Sequence, residues 1–330
     1  MNEILSQSTY YIIPLLIVAL AGLFSEKSGT VNIALEGMML IGAFSGLLFI
    51  NVMQTFSIWV NHPHWILLVG LLISGVSASL FSALLGFLAI KMRADQTIGG
   101  TALNLFATAL VAYLTIFSMR KIHNQTTYDI AFKQLPFRFS VPYLKDIPIL
   151  GPLLFNNMFL TTYVGVIILI ITIVIFKYTR FGLRLSACGE HPQAAQSAGI
   201  NVIKYRWYGV LISGFLAGIG GLTYILPTSV SYSGTVHGYG FLALAVLIFG
   251  AWKPIRVFWV AIFFGLLKTL SVYYISYNWM LDFINMFPNV PFAMLLRMLP
   301  YLATLVALAI TSKKSRSPKA SGIPFDPLAG

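Results

Sequence analysis

The chain has 330 residues, of which 58% are hydrophobic and only 9% are charged, and its mean hydropathy is +0.84. Soluble globular proteins carry roughly 25% charged residues, so this composition excludes a soluble protein with a water-facing surface. The formal net charge is +12, but the basic residues fall mostly in short segments between apolar stretches, and no nucleic-acid partner is expected.

About nine apolar stretches approach the roughly 20 residues that a membrane-spanning helix needs. They are 10–24, 31–52, 66–90, 98–118, 158–177, 206–226, 238–252, 256–277 and 291–311. The first and the seventh are short, which predicts half-helices or re-entrant segments enclosed by protein. The predicted fold class is all-α, a polytopic transmembrane bundle of about 8–10 spans over residues 1–311.

The distribution of Lys and Arg predicts the orientation. Fourteen of the 21 basic residues fall in alternate loops on one side, five fall in the long loop 119–157, and Lys268 and Arg297 lie within apolar stretches. Basic loops stay in the cytoplasm, so the N-terminus is expected outside, with 119–157 as an external loop. The basic, Ser- and Pro-rich tail 312–330 is expected to be cytoplasmic and disordered.

Small residues recur at helical spacing in three of the apolar stretches. The residues are Ser74, Ala78, Ser82 and Gly86, then Gly42 with Gly46, and Gly214 with Gly218. Positions four apart share one helix face, and small side chains there let helix backbones approach closely in lipid. The pattern predicts a tightly packed bundle.

Motifs for catalysis are missing from the sequence. It contains no H-E-x-x-H pair, no G-x-S-x-G elbow, no Cys/His cluster and no G-x-x-x-x-G-K-[ST] phosphate loop. Cys188 is the only cysteine, which excludes an intrachain disulfide. We therefore expect no catalytic residue, no metal and no cofactor, and any ATP must be bound by another chain.

The segment 180–201 joins two apolar stretches on the basic side. Pro192 suits the first turn of a helix, Glu190 suits the positive end of its dipole, and Gly199 can supply a left-handed stop. These features predict a short helix of about two turns, which is marginal alone and should dock on another surface.

Four sequence blocks carry a resemblance to a known family. The runs 22–39, 180–201, 238–245 and 299–302 resemble nucleoside-type ABC transporter permeases. That group belongs with the ribose, galactose and branched-chain amino-acid permeases. The resemblance extends over about 20–305, nearly the whole chain.

The resemblance implies a type II ABC importer-like permease in the bacterial inner membrane. Its partners would be a second related permease, a cytosolic ABC ATPase and an extracytoplasmic substrate-binding lipoprotein, besides membrane lipid and a small-molecule substrate. The loop 178–205 would carry the coupling helix, with Ala195 facing solvent in the isolated chain. The candidate coupling residues are Arg180, Gly182, Arg184, Glu190, His191, Pro192, Ala195 and Gly199.

Candidate residues of the substrate pathway are Asn32, Glu36, Gln96, Asn104, Phe241 and Lys268. Asn32 and Glu36 are four apart and share a helix face. A carboxylate at membrane depth indicates either a functional group or a cap on a broken helix. Lys268 lies mid-span, which favours pore lining or pairing with Glu36.

The neutral candidates Gln96 and Asn104 suit an uncharged polar solute, and hydrogen bonding between helices explains them equally well. Arg297 is expected to be an interfacial anchor, and His237 a solvated loop residue.

Two alternatives to a nucleoside permease stay open. One is a permease for a simple sugar such as ribose or galactose. The other is a self-contained secondary transporter, which the scarcity of acidic residues in the spans disfavours.

Overall fold

The computed structural model describes residues 2–56, 62–124, 127–132, 138–139, 158–274, 286, 292–311 and 317–326. Within these residues the helices are α1 (Asn2–Lys27), α2 (Leu35–Met53), α3 (Pro63–Gly86), α4 (Gln96–His123), α5 (Leu160–Tyr178), α6 (Arg180–Glu190), α7 (Pro192–Ser197), α8 (Val202–Thr228), α9 (Tyr239–Phe249), α10 (Pro254–Tyr273) and α11 (Phe292–Thr311). One π-helical turn, Phe87–Lys91, extends α3.

Extended structure is confined, in the described ranges, to four strands of two residues each. They are β1 (Ile130–Ala131), β2 (Arg138–Phe139), β3 (Met158–Phe159) and β4 (Ser231–Tyr232). β1 pairs antiparallel with β4, and β2 pairs antiparallel with β3. The prediction of an all-α fold is confirmed.

Each of the nine predicted stretches contains a helix. Seven helices of the described part are long and apolar enough to cross a membrane, namely α1, α2, α3, α4, α5, α8 and α10. The seventh stretch forms α9, which has only 11 residues, so the prediction of a short segment there is confirmed. α4 continues to His123 and takes the first residues of the predicted loop 119–157, most of which lies outside the described residues.

The prediction of a short first segment is wrong. α1 has 26 residues and begins at Asn2, far ahead of the apolar run that starts at Tyr10. Ser8 and Thr9 precede that run and are nevertheless buried. α1 lies inside the protein, so its flanking polar residues meet other helices rather than lipid, and hydropathy alone underestimates its length.

Helices α1 and α8 form the centre of the bundle. α8 packs chiefly against α3 and α1 and then α2, while α1 also contacts α10 and α9. Large apolar side chains on α3, α4 and α5 point outward, among them Leu80, Leu105 and Ile170. This outer surface suits lipid or another membrane subunit.

The predicted small-residue faces meet one another. A Cβ atom built on Gly42 would lie 2.3 Å from the Cα of Gly218, and one built on Gly214 would lie 2.3 Å from the Ser82 Oγ. The Ser74 hydroxyl donates a hydrogen bond of 2.6 Å to the Gly218 carbonyl. The prediction of close backbone approach is therefore confirmed, and larger side chains at these glycines would push the helices apart.

The basic loops converge at one end of the bundle, which we call the basic end. There the Trp252 indole N–H donates to the Glu26 carboxylate (2.6 Å). A Cβ atom on Gly189 of α6 would lie 2.4 Å from the Lys27 carbonyl oxygen. The ends of α1 and α6 and the turn after α9 thus form one surface.

Candidate functional site

The connector 28–34, between α1 and α2, is held by the side chain of Asn104. The Asn104 Oδ1 accepts from the Gly37 N–H (2.8 Å), and its Nδ2 donates to the Ile33 carbonyl (2.9 Å). The N-cap residue of α2, Ala34, has no capping side chain, so a free N–H of the first turn is satisfied from α4 instead.

Gln96 and Asn32 are buried beside the same connector. The Gln96 Oε1 accepts from the Val31 N–H (2.7 Å), and the Asn32 Nδ2 donates to the Ser213 Oγ (2.8 Å). These two amides therefore connect α4, the connector and α8. For Gln96, as for Asn104, this is the interhelical hydrogen bonding that the sequence left open beside a role in the pathway.

Glu36 lies in the first turn of α2 and faces the start of α9. Its Oε1 accepts from the Gly238 N–H (2.9 Å) and its Oε2 accepts from the Gly240 N–H (2.6 Å). Gly238 is the N-cap of α9, has a left-handed φ of 75° and contributes no capping side chain. The carboxylate supplies both the missing acceptor and the negative charge that a helix N-terminus favours.

The predicted pairing of Glu36 with Lys268 is wrong. The ion pair found among the described residues joins Arg93 to Asp326, and both Glu36 oxygens accept from backbone N–H groups. The Lys268 Nζ instead lies 5.8 Å from the centroid of the Tyr301 ring. An ammonium group can be stabilised over an aromatic face without a carboxylate.

Four residues lie around the start of α9, and we call them the Tyr301 cluster: His237, Phe241, Lys268 and Tyr301. Tyr301 donates from its hydroxyl to the His237 carbonyl (3.3 Å). Phe241 is 49% exposed and Tyr301 43% exposed, His237 is also exposed, and Lys268 is half-buried. Lys268 lies about 21 Å along α10 from its start, inside a helix that is long and apolar enough to cross a membrane. Charged side chains within such helices face the interior of the bundle or a water-filled cavity.

Tyr301 is a site residue that the sequence analysis did not select. The sequence nevertheless contained an indication of its importance, because Tyr301 lies in the block 299–302 on which the family resemblance rests. Arg297, the predicted anchor, lies on the same helix α11, and its side chain is outside the described residues.

The segment 180–201 forms two helices where one was expected. α6 occupies Arg180–Glu190 and is capped by the Thr179 hydroxyl, which accepts from the Gly182 N–H (3.2 Å). α7 then begins with Pro192 in its first turn. Glu190 is therefore the last residue of the first helix and comes directly before His191, the N-cap of the second.

Ala195 is buried, contrary to the expectation that it faces solvent. It is 4% exposed and packs with Cys188, Val202 and Phe325. Pro192, three residues earlier on the same face of α7, is also buried. The exposed residues of α7 and its two ends are His191, Gln193, Ala194, Gln196, Ser197, Ala198 and Gly199.

The other predicted coupling residues divide into packing and surface positions. A Cβ atom on Gly182 would lie 2.2 Å from the Ile175 carbonyl, so this glycine allows α6 to fold back on α5. Arg180 and Arg184 are exposed. Gly199 has a left-handed φ of 77° with open space around it, which matches its predicted role as a stop after α7.

Part of the C-terminal tail is ordered. Residues 317–326 lie against the basic end, with Phe325 buried beside Ala195. The expectation of a free disordered tail over 312–330 does not hold for these ten residues, and the rest of the tail lies outside the described residues. Phe325 is a buried apolar residue of this segment, and the basic composition of the tail did not indicate that it would be buried.

Metal-ligating residues do not converge in the described part of the chain, where no group of three His, Cys, Asp or Glu side chains is found. The polar side chains named above instead hold helix starts in place, and the Tyr301 cluster presents exposed aromatic rings close to Lys268.

Comparison with known proteins identifies the family. The sequence model described as "Branched-chain amino acid transport system / permease component" matches residues 4–308. The chain belongs to this permease family. It is therefore a multi-pass membrane protein of a transport system, in agreement with the seven long apolar helices of its described residues.

Individual members of the permease family match along almost the whole chain. The guanosine ABC transporter permease protein NupQ of Bacillus subtilis is 36% identical over 98% of this chain and 97% of its own length. The nucleoside ABC transporter permease protein NupC of Lactococcus lactis is 36% identical over 98% and 96%. A putative glucose ABC transporter permease protein, TsgC13 of Haloferax volcanii, is 30% identical over 92% and 89%. No solved structure matches the chain.

Proposed function

We propose that this chain is the membrane-spanning permease subunit of an ABC importer that takes up nucleosides. The observation that carries the proposal is the near full-length similarity to two permeases whose names specify guanosine and nucleosides. The accessible Tyr301 cluster supports it, because aromatic rings can stack on a nucleobase while a cation and carbonyl groups contact its polar edges.

The energy would come from a partner chain. This sequence has no phosphate-binding loop of its own, and α7 presents an exposed polar face beyond the basic end. We place the basic end in the cytoplasm by the positive-inside rule. There α7 would dock on a cytosolic ABC ATPase, whose closure would be transmitted through α6 to the end of α1.

Two further partners complete the importer. A second related permease would enclose the charged side chain of Lys268 and the exposed rings of Phe241 and Tyr301. The Tyr301 cluster would then line a passage between the two permeases. An extracytoplasmic binding lipoprotein would supply substrate affinity. The membrane passage itself can then bind weakly and release its solute.

The decisive experiment is reconstitution of the chain with its second permease, ATPase and binding protein in vesicles. Labelled guanosine or uridine should accumulate only when ATP is present on the ATPase side. Vesicles that lack the ATPase are the control and should stay at equilibrium. Accumulation driven by an ion gradient without ATPase would instead identify a secondary transporter.

A sugar permease is the second candidate, and the similarity to a putative glucose permease favours it. Competition separates the two. Excess unlabelled nucleoside should abolish uptake of labelled nucleoside, whereas excess glucose, ribose or galactose should leave it unchanged. Inhibition by a sugar, with no effect of nucleosides on labelled sugar uptake, would reverse the assignment.

A further inference from the structure

The C-terminal segment 317–326 makes backbone hydrogen bonds to two separate parts of the basic end. The Ala320 N–H donates to the Gly189 carbonyl at the end of α6 (2.9 Å). The Gly322 N–H donates to the Gly29 carbonyl in the connector after α1 (3.3 Å). The segment therefore bridges the helix that precedes α7 and the connector that leads into α2.

Side chains anchor the same segment at its far end. Phe325 is buried against Cys188 of α6, Ala195 of α7 and Val202 of α8. The next residue, Asp326, pairs with Arg93 at 3.1 Å. Ala195 of α7 belongs to the same buried apolar cluster as Phe325. Phe325 thereby contributes to the burial of this six-residue helix, which is too short to be stable alone.

Arg206 shows that the attachment is specific. It is 1% exposed, donates from Nη1 to the Ile323 carbonyl (2.9 Å), and its guanidinium lies 5.7 Å from the centre of the Phe325 ring. Its Nε and Nη2 groups have no acceptor among the described residues. Burying a guanidinium in this way is unfavourable, so the segment can separate again more readily than a fully satisfied interface.

The segment also shapes the surface around α7. A cavity of about 340 Å³ beside the helix is lined in part by Gln196 and Phe325. A second cavity, of about 210 Å³ near the start of the helix, is lined in part by Gln193 and Pro324. The tail thus contributes walls near both ends of α7.

We propose that residues 317–326 form a clasp that seats α7 and is itself part of the surface on which the cytosolic ATPase docks. The inference rests on the proposed function, because the occupant of the surface is the importer's ATPase subunit. Continuity of both cavities with the exposed face of α7 argues for that occupant. Release of the clasp would leave α7 without its apolar support and would uncover Arg206 and Cys188.

Cys188, the only cysteine in the sequence, provides a reporter of the clasp. It is fully buried next to Phe325, and burial raises the pKa of its thiol to about 11. In membranes that contain the intact chain, N-ethylmaleimide should label Cys188 slowly. Phe325→Ala should accelerate labelling by about tenfold, whereas Ile323→Ala, at a side chain that is 56% exposed, should not.

ATPase binding tests the docking role. With the permease pair in lipid nanodiscs and the purified ATPase as the probe, Phe325→Ala should weaken binding by about tenfold. Phe263→Ala, which removes an exposed ring within α10 rather than in the C-terminal segment, should leave binding unchanged. If the Phe325→Ala complex does not assemble, Phe325→Leu and a chain ending at residue 316 replace it. The Leu variant should bind nearly as tightly as the natural chain, and the truncated chain should bind weakly.

Failure of the proposed function and failure of the clasp give different experimental results. If the natural complex binds no ATPase, the proposed function is wrong, while Cys188 labelling still reports on the clasp. If the natural complex binds ATPase and both Phe325→Ala and the chain ending at residue 316 bind it equally well, the clasp is no part of the docking surface. Unchanged labelling in Phe325→Ala and in the truncated chain would show that the segment does not cover α7.

Discussion

The carboxylate of Glu36 accepts a hydrogen bond from the backbone N–H of Gly238, a residue 202 positions further along the chain. The contact joins the start of α2 to the start of the half-helix α9. The start of α2 is in turn capped from α4 by Asn104. Side chains of other helices therefore accept hydrogen bonds from the N-terminal N–H groups of α2 and α9. These contacts hold in position the start of α9, around which the Tyr301 cluster lies.

Replacing Glu36 with Gln should destabilise the permease by about 1–3 kcal/mol, since the amide NH₂ cannot accept from the N–H groups of Gly238 and Gly240. Lys268→Met removes a different interaction, the contact with Tyr301. The two losses should add in the double variant, because the residues share no hydrogen bond. Thermal unfolding of the purified complex measures this, and recovery in the double variant would instead indicate a Glu36–Lys268 ion pair.

Local patterns predicted much of the fold. The spacing of Ser74 and Ser82 on one helix and of Gly214 and Gly218 on another predicted close-packed faces, because residues four apart share a face whatever the tertiary structure. The length of α1 could not be predicted from such a local pattern. Its buried polar start reflects enclosure by other helices, which a hydropathy pattern does not record.

The partners of the site residues were harder to predict for a physical reason. Glu36 accepts hydrogen bonds from backbone N–H groups, and nearly every residue carries such a group, so the sequence does not indicate which ones. Lys268 is one of the few charged residues in the apolar stretches, and the sequence therefore favoured it as the partner. Ala195 is buried by Phe325, a single aromatic residue in a tail whose basic and Ser/Pro-rich composition indicated disorder. Long-range contacts of this kind depend on the assembled fold.

Asn104→Leu should destabilise the bundle by about 1–3 kcal/mol and impair uptake, because the Gly37 N–H and the Ile33 carbonyl would both be left without a partner in the interior. The matched control is Thr101→Ala on the same helix, whose exposed hydroxyl bonds only within α4. It should unfold within about 0.5 kcal/mol of the natural chain. Equal stability of the two variants would contradict the assignment of Asn104 as the cap of α2.

Tryptophan substitutions at two adjacent alanines of α7 should have different effects. Ala194 is exposed, so Ala194→Trp should leave thermal stability unchanged and reduce substrate-stimulated ATP hydrolysis by obstructing the docked ATPase. Ala195 is packed against Phe325, and Ala195→Trp should destabilise the chain by about 1–3 kcal/mol through overpacking. Both quantities are measured on the assembled complex. A stable Ala195→Trp chain, or full stimulation in Ala194→Trp, would contradict this orientation of α7.

The Tyr301 cluster predicts which aromatic side chain contacts the solute. Phe241→Ala should lower nucleoside uptake by up to about tenfold, the loss of one stacking contact, while Phe241→Tyr, which keeps the ring, should transport at nearly the natural rate. Phe263→Ala on α10 is the matched control, because Phe263 is similarly exposed but lies outside the cluster. Initial uptake rates in reconstituted vesicles, normalised to the amount of assembled complex, make the comparison independent of expression. Natural uptake in Phe241→Ala together with reduced uptake in Phe263→Ala would place the wall of the passage on α10 rather than at the start of α9.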